Sequence, residues 1–402
     1  MLPLDDVKVV DFMWALAGPG TTRTLADYGA TVVRIESASR IDGARTVGPF
    51  YKNRPANDGS GLFGTYNAGK FGLGLDLNKP RAREVVLDLV RWADVVCESF
   101  SPKAMRAWGL DYESLRSVKP ELIMLSSCLM GQTGPMSRFI GFGNMAAAVS
   151  GFYNLCGWPD RPPSGPFGAY TDYVAPRFGA VSVLAALDYR RRTGKGQYID
   201  QSQAESALHF LTPALLDCAA NGRLAQGLGN DDPNYAPHGV YPARGEDRWV
   251  AIACLTEEHW RRLCSLLGRD DLVSDERFAT LHDRHHNRRQ LDQIIGAWTT
   301  ARAADATEDL LQSEGIPAAA VKNSREVCLD AQLSHRQYLV ELEHPVCGQT
   351  VIEGSRFALS RTQAKSPRPA PTIGGDNQYV LETILGYDQA RISELAGAGV
   401  LQ

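Results

Sequence analysis

A chain of 402 residues, 44% hydrophobic and 22% charged, has the composition of a globular protein long enough for two or more domains. Its net charge of −4 excludes the basic footprint of a nucleic-acid binder, and no apolar run approaches the roughly 20 residues that span a bilayer. Eight dispersed cysteines (97, 128, 156, 218, 254, 264, 328 and 347) contain no Cys-x-x-Cys pair, and the opening MLPLDDVKVVDF lacks the basic-then-apolar pattern of a secretory leader. Reduced, mostly buried thiols in a cytoplasmic setting are expected.

In chain order, residues 7–12 are rich in β-formers, and Gly18-Pro19-Gly20 leads into a helical stretch over 21–28 that Gly29 closes. Residues 31–36 and 70–77 predict two further strands. Val85, Val86, Leu89 and Trp92 fall at helical spacing within 81–92. A strand over 94–97, helical turns over 103–118 and a buried strand over 121–126 follow. Strands alternating with helices imply crossover units and a mainly parallel sheet.

Residues 144–216 read as mostly helical, and the turn-rich stretch 221–242 reads as a linker. A smaller unit follows, with a strand over 249–253, helices over 257–267, 288–301 and 304–313, and a strand over 316–321. After about residue 332 come two short β-like runs at 340–344 and 349–352, the Pro-rich stretch SPRPAPTIG and a final helix near 377–385. His282, His285 and His286 sit among arginines without a nearby cysteine, so a surface helix is expected there and no metal site.

In the stretch PFGAYTDYVAPRFGAVSVLAALDYRRRTGKGQ, residues 166–197, one carboxylate, Asp172, stands in an otherwise uncharged run just before a helix. Packing through Phe178, Val181, Leu184 and Leu187 is expected, and Arg190, Arg191 and Arg192 close the helix. Pro176 lacks an N–H, so the regular helix is expected to start near it, with Asp172 in the preceding loop or first turn. Asp172 is either a helix cap or a nucleophile held among apolar residues.

The opening strand, glycine turn, helix and strand, with Glu36 ending the second strand, suggests a dinucleotide site. The fingerprint fails because Arg23 stands where the third glycine belongs. A phosphate at that helix start remains open. Turns at 98–103 and 131–135 follow strands, where open α/β sheets bind ligands. Lys70, Lys103 and Arg106 lie in or near these loops, and with the glycine turn they suggest a phosphate-bearing, nucleotide-like ligand.

These pieces resemble the family III CoA-transferases, the group that includes formyl-CoA transferase and carnitine CoA-transferase. The resemblance rests on VVDFMWALAGPGTTRTLADYGATVVRIE, NAGKFGLGLDLNKP, ADVVCESFSPKAMRAWGLDYESLRSVKPELI, GQTGP, RRRTGKGQYIDQSQAES, NYAPHGVYPA, EGIPAAAV and HPVCG, and runs nearly end to end. GAYTDYVA is most similar to the branch acting on benzylsuccinate-like acids.

The resemblance implies an α/β fold. A Rossmann-like large domain is formed by both chain ends (1–220 and 332–402), and a smaller inserted α/β domain with its linkers spans 221–331. It also implies an interlocked homodimer, with a hetero-oligomer left open, and a CoA thioester as substrate rather than a tightly bound cofactor. Neither nucleic acid nor membrane is expected as a partner.

Asp172 matches the family's catalytic aspartate, which attacks a donor acyl-CoA and becomes an aspartyl-CoA thioester. Trp14, Ala17, Lys70, Leu73, Ser99, Phe100 and Arg106 match CoA-contacting positions. Trp14 stands in place of a histidine, Ser99 in place of an asparagine, and Arg106 is displaced by one position. Tyr170 and Tyr173 line an acyl pocket or merely pack. Arg177 pairs with the second carboxylate of a succinyl-type substrate or makes a surface or interface salt bridge.

Alpha-methylacyl-CoA racemases are similar in fold, but their histidine–aspartate pair is replaced here by Phe142 and Gly143, which leaves no proton-transfer partner. A non-catalytic subunit would lack the aspartate. Intramolecular CoA transfer within one dicarboxylate stays open.

Overall fold

The structure, a computed structural model, describes residues 1–365 and 368–402. Ser366 and Pro367, part of the Pro-rich stretch, lie outside the described residues. The chain divides into two compact units. One comprises residues 1–153, 165–224 and 332–402, and the other residues 154–164 and 225–331. Residues 154–164 thus belong with the smaller unit, although sequence reading left them in the larger.

The larger unit begins with β1 (Lys8–Phe12), α1 (Ala17–Asp27), β2 (Thr31–Glu36), α2 (Gly61–Asn67), β3 (Phe71–Gly74), α3 (Ala82–Trp92) and β4 (Val95–Glu98). It continues through α4 (Ala104–Ala107), α5 (Tyr112–Val118), β5 (Ile123–Cys128), α6 (Gly143–Val149), α7 (Phe152–Leu155, its last two residues in the smaller unit), α8 (Tyr170–Thr193), β6 (Tyr198–Ser202), α9 (Gln203–Leu208) and α10 (Thr212–Asn221). The six strands form one parallel sheet in the order β3-β2-β1-β4-β5-β6. This doubly wound order reverses between β1 and β4, which opens a crevice at their carboxyl ends.

Alternation along the strands builds two cores. Val10, Val33, Val96 and Met124 pack with Val85, Val86 and Leu89 of α3, while Val9, Val32, Val95 and Ile123 pack with Leu25 of α1 and Val183, Ala186 and Leu187 of α8. Adjacent residues point to opposite faces, and helices cover both, so the strands read as continuous apolar runs.

Three expectations for residues 144–216 need correction. First, β6 was not expected. Its sequence, YIDQS, is too polar to look buried, yet it adds a parallel edge strand, pairing Met124 with Tyr198. Second, α8 starts at Tyr170, six residues before Pro176. A proline removes the bond that its own N–H would make to the carbonyl four residues back and crowds that carbonyl, yet the first turn still forms ahead of it.

Third, the buried stripe of α8 is Gly179, Ala180, Val183, Ala186 and Leu187, while Val181 (65% exposed) and Leu184 (43%) face outward. Small residues set this register. A Cβ on Gly179 would lie 2.6 Å from Thr21 Oγ1, and one on Gly20 would lie 2.9 Å from the Pro176 ring. Helices α1 and α8 therefore cross too closely for bulk at those points. Gly194, at φ 73°, ends α8 in the left-handed conformation.

The smaller unit holds an antiparallel sheet of β7 (His238–Pro242), β8 (Trp249–Ala253) and β9 (Ala318–Ala320). Its helices are α11 (Glu257–Leu267), α12 (Leu281–His286), α13 (Arg288–Thr300), α14 (Ala304–Ser313) and α15 (Ser324–Cys328). Trp260, Leu263, Phe278, Leu291, Ile295 and Leu311 close its core over Val250 and Ile252. The expected linker therefore ends in a strand, β7, whose glycine and proline had read as turn signals.

After α16 (Ala331–His335), a hairpin of β10 (Leu339–His344) and β11 (Gly348–Glu353) follows. A π-helical turn covers Tyr379–Ile384, and the last helix is α17 (Gln389–Gly397), which was not expected. The chain end then pairs with the edge at β3: Leu401 bridges Leu75, and the Gln402 N–H donates to the Gly74 carbonyl at 3.0 Å. Among the described residues, no helix is long and apolar enough to cross a membrane.

Candidate active site

The crevice floor is built from buried charges. Asp11, at the end of β1, accepts from Lys70 Nζ (2.9 Å), Thr22 Oγ1 (2.8 Å) and the Met13 N–H (2.8 Å). Beside it, Arg34 donates to Asp42 at 2.6 Å, and Arg45 grips Glu36 at 2.8 and 3.0 Å. Asp42 in turn accepts the Ala15 N–H at 3.0 Å. That bond helps hold Ala15 at φ 61°, a conformation that costs a non-glycine residue and survives only when its surroundings enforce it.

The turn after β1 is thereby aimed at the turn after β4. The Trp14 N–H donates to Ser99 Oγ at 2.8 Å, and the Phe100 ring stands edge-on to Trp14 and Trp108, each at 5.5 Å. The Phe100 N–H donates to Glu98 at 2.7 Å. Burial pushes the Glu98 carboxyl up to about 7, against the pull of Ser126 and that N–H.

Two cavities meet at this junction. The larger, about 590 Å3, is lined by Trp14, Arg40, Leu75, Asn78, Phe100 and Trp108, among others. Arg40 lies 5.6 Å over the Trp14 ring. The smaller, about 270 Å3, shares Trp14, Ser99, Phe100 and Ser101 with the first and continues past Ala17 to Asp172. Together they form one track, and Asp172 is the one carboxylate that lines its smaller part.

Asp172 lies in the first turn of α8, 7% exposed. It does not cap that helix: Ala169 is the N-cap and makes no side-chain cap bond. The carboxylate instead takes a hydrogen bond from the backbone N–H of Gly143 at the start of α6, and Thr171 Oγ1 donates to the Gly143 carbonyl at 3.1 Å. A Cβ on Gly143 would lie 2.7 Å from Asp172 Oδ1, so only glycine admits the carboxylate here. Burial pushes its pKa up to about 6, with the Gly143 N–H acting the other way. Among the described residues, Asp172 has no salt bridge.

Other residues singled out from sequence lie elsewhere. Lys70 is fully buried, and its ammonium is spent on Asp11, the Pro19 carbonyl (3.1 Å) and Asn67 (2.9 Å), so it cannot meet a ligand phosphate. Burial lowers it to about 8, opposed by Asp11. Leu73 is fully buried in the core, and the cleft wall on that side is Leu75. Arg106 lines a third cavity of about 250 Å3 with Glu98, Tyr112 and Tyr198, which shares Ser101 and Pro102 with the Asp172 cavity, and it lines neither of the first two.

Tyr170 packs on Phe152 with ring centres 5.0 Å apart, and neither it nor Tyr173 lines the Asp172 cavity. Arg177 is exposed near Tyr66, Tyr338, Glu353 and Arg356, outside that cavity. Five residues along a helix turn a side chain by roughly 140°, which carries Arg177 away from the face of Asp172. Conversely, Arg40, Arg138 and Gln203 line the track and were missed: Arg40 and Arg138 lie outside the matching motifs, and Gln203, inside RRRTGKGQYIDQSQAES, carries no sign in the sequence of facing a cavity. Among the described residues, no cluster of histidines, cysteines or carboxylates could hold a metal.

Known proteins share this architecture. A family model described as CoA-transferase family III matches residues 4–377. The chain is 31% identical over 400 residues to a succinyl-CoA–D-citramalate CoA-transferase of Chloroflexus aurantiacus, covering 99% of this chain and 98% of that one. It is 29% identical over 402 residues to the succinyl-CoA:glutarate CoA-transferase of Mus musculus, covering 100% and 91%. The crystal structure of a CAIB/BAIF family protein from Brucella suis superposes with a TM-score of 0.87 at 30% identity, covering 96% and 99%. With a doubly wound sheet, a cleft at its switch point and a family match across the chain, this protein is an enzyme belonging to family III of the CoA-transferases.

Proposed function

We propose that this chain moves CoA from succinyl-CoA to a free dicarboxylic acid, with Asp172 as the nucleophile. One observation carries the reading: among the described residues Asp172 is a buried carboxylate with no salt-bridge partner, in the wall of a two-part cleft. The desolvated carboxylate is held near, not above, neutral pH, so it is ionised when the enzyme works and is a better nucleophile than an exposed one.

The steps follow from that placement. Asp172 attacks the thioester carbonyl, and the C–S bond breaks to give a mixed anhydride and CoA thiolate. The thiolate adds to the aspartyl carbonyl and expels succinate, leaving an aspartyl-CoA thioester. The acceptor carboxylate then attacks that thioester, and the released thiolate takes the acceptor acyl group and frees Asp172. The Gly143 N–H is suited to stabilise the aspartyl oxygen as charge develops on it.

Trp14, Ser99 and Phe100 hold the pantetheine arm where the two cavities join, and Ala17 flanks its inner end. Both curated relatives named above use succinyl-CoA with a dicarboxylic acid, which supports the substrate class. CoA is a substrate in this scheme and leaves each turnover. A dimer interlocked between copies is part of the same reading. Phe210 (53% exposed), Leu215 (47%), Leu216 (62%) and Leu224 (79%) form an apolar surface on and around α10 that a second copy would cover.

Incubation with succinyl-CoA, followed by hydroxylamine or mass spectrometry, should locate CoA or hydroxamate on Asp172. Transfer that survives Asp172→Ala sinks the assignment. Light scattering that finds only monomers removes the dimer.

A further inference from the structure

The cavity that ends at Asp172 contains a second charged group. Its wall is largely apolar, with Leu129, Met130, Phe139, Ile140 and Phe142, and only Asp172 and Arg138 bring formal charge to it. Arg138 is exposed on the loop between β5 and α6 and makes no salt bridge among the described residues. Gln203 lines the same cavity, 9% exposed, and among the described residues its amide oxygen has no hydrogen-bond partner. A buried amide without a partner is costly unless something fills the space before it. Oxygen and nitrogen can exchange places by rotation of that amide, so Gln203 can present either a donor or an acceptor.

We infer that Arg138, assisted by Gln203, receives the distal carboxylate of a dicarboxylic acyl group while the reacting carbonyl meets Asp172. A carboxylate brought into an apolar wall without a partner loses its hydration and gains nothing in return. A guanidinium can take both of its oxygens at once. A monocarboxylic acyl chain of similar length would leave Arg138 facing a methyl group. Arg177, the other arginine considered for this role, lines neither part of the track. The inference rests on Asp172 being the nucleophile.

The test compares succinyl-CoA with butyryl-CoA as donors, glutarate as acceptor, in the full-length wild type, Arg138→Gln and Arg138→Lys. The wild type should prefer succinyl-CoA. Arg138→Gln should lower kcat/KM for succinyl-CoA by roughly 10- to 100-fold and leave butyryl-CoA within about twofold, with Arg138→Lys between. The affinity for free CoA should not change. Equal losses for both donors together with weaker CoA binding would make Arg138 a CoA contact and overturn the inference. An unchanged donor ratio would do the same. Failure of the underlying reading looks different: no adduct would form on Asp172 from either donor, whatever residue stands at 138.

Discussion

Two groups of buried charge lie in the larger unit, and they behave in opposite ways. Under the cleft floor, Asp11, Arg34, Glu36, Asp42, Arg45 and Lys70 are each at most 5% exposed, and each has an opposite charge within 3.4 Å. Burial alone would push the Glu36 carboxyl up, but Arg34 and Arg45 together outweigh it and hold it below its ordinary value. At the cleft wall, Asp172 is buried to a similar degree with one backbone N–H for company, and its pKa rises to about 6. Charges that neutralise one another are scaffolding: they pin Ala15 and the turn that presents Trp14. A buried charge without a counter-ion is destabilising by itself and survives where chemistry needs it.

Exchanging charge for a neutral side chain in each group tests this contrast. The largest effect should come from Asp172→Asn, which should cut transfer by roughly 10,000-fold or more, since loss of a covalent nucleophile removes the whole pathway. A steady-state assay with succinyl-CoA reads it, and a loss of less than tenfold would place Asp172 with the scaffold. Next is Lys70→Met, which strands Asp11 without its cation and should cost roughly 3–5 kcal/mol in urea denaturation. Folded protein should still bind CoA. A Lys70→Met protein of normal stability that has lost CoA binding would break the comparison.

Asp172→Asn should also change stability, with the sign opposite to Lys70→Met. An exposed aspartate loses its proton near pH 4, whereas native Asp172 keeps its own to about 6. The native state therefore binds the extra proton in that window, and stability falls as pH rises through it. Above pH 6 the variant should be more stable than the wild type by roughly 2–3 kcal/mol, and near pH 4 the difference should vanish. Melting curves at pH 4.5 and 7.5 decide it. The same titration should make wild-type kcat/KM rise steeply with pH up to about 6, and above that only by the few-fold that Glu98 contributes.

Smaller effects belong to the walls between the two groups. Trp14→Ala removes the ring that stands against Phe100 and under Arg40, and should weaken CoA binding by about tenfold, measured by calorimetry. Glu98 holds the Phe100 N–H and accepts from Gln132 at 3.2 Å, joining the turns after β4 and β5. Its carboxyl is raised to about 7, mainly by burial, so it loses its proton within the working range. Wild-type KM for acyl-CoA should fall a few-fold from pH 6 to pH 8 as the ionised form accepts both bonds more strongly. Glu98→Gln should flatten that slope, and an unchanged slope would assign it to another group.

Legibility in the sequence followed burial and locality. The runs KVVDF, TVVRIE and ELIMLS are apolar because the strands they feed are covered on both faces, so β1, β2 and β5 could be read directly. YIDQS could not, since an edge strand needs apolar neighbours on few sides. Asp172 stood out as the one acid in an uncharged run and the stretch 98–103 as a turn after a strand, while Trp14, Ser99 and Phe100 were picked out as site residues by the family resemblance. Lys70 misled because a lysine before a strand gives no sign of its depth, and Arg177 because proximity in sequence ignores the turn of the helix.

Composition and periodicity alone determined the class of fold and the helix-covered parallel sheet, because apolar patterning reports which surfaces leave water; they left Asp172 a cap or a nucleophile, and the family resemblance chose between the two. Which charges meet was decided only by tertiary structure. Lys70 meets Asp11 across 59 positions and Arg45 meets Glu36 across nine, while Asp172 forms no salt bridge among the described residues. The Coulomb term depends on distance in space and on local hydration, and neither is written in the order of residues.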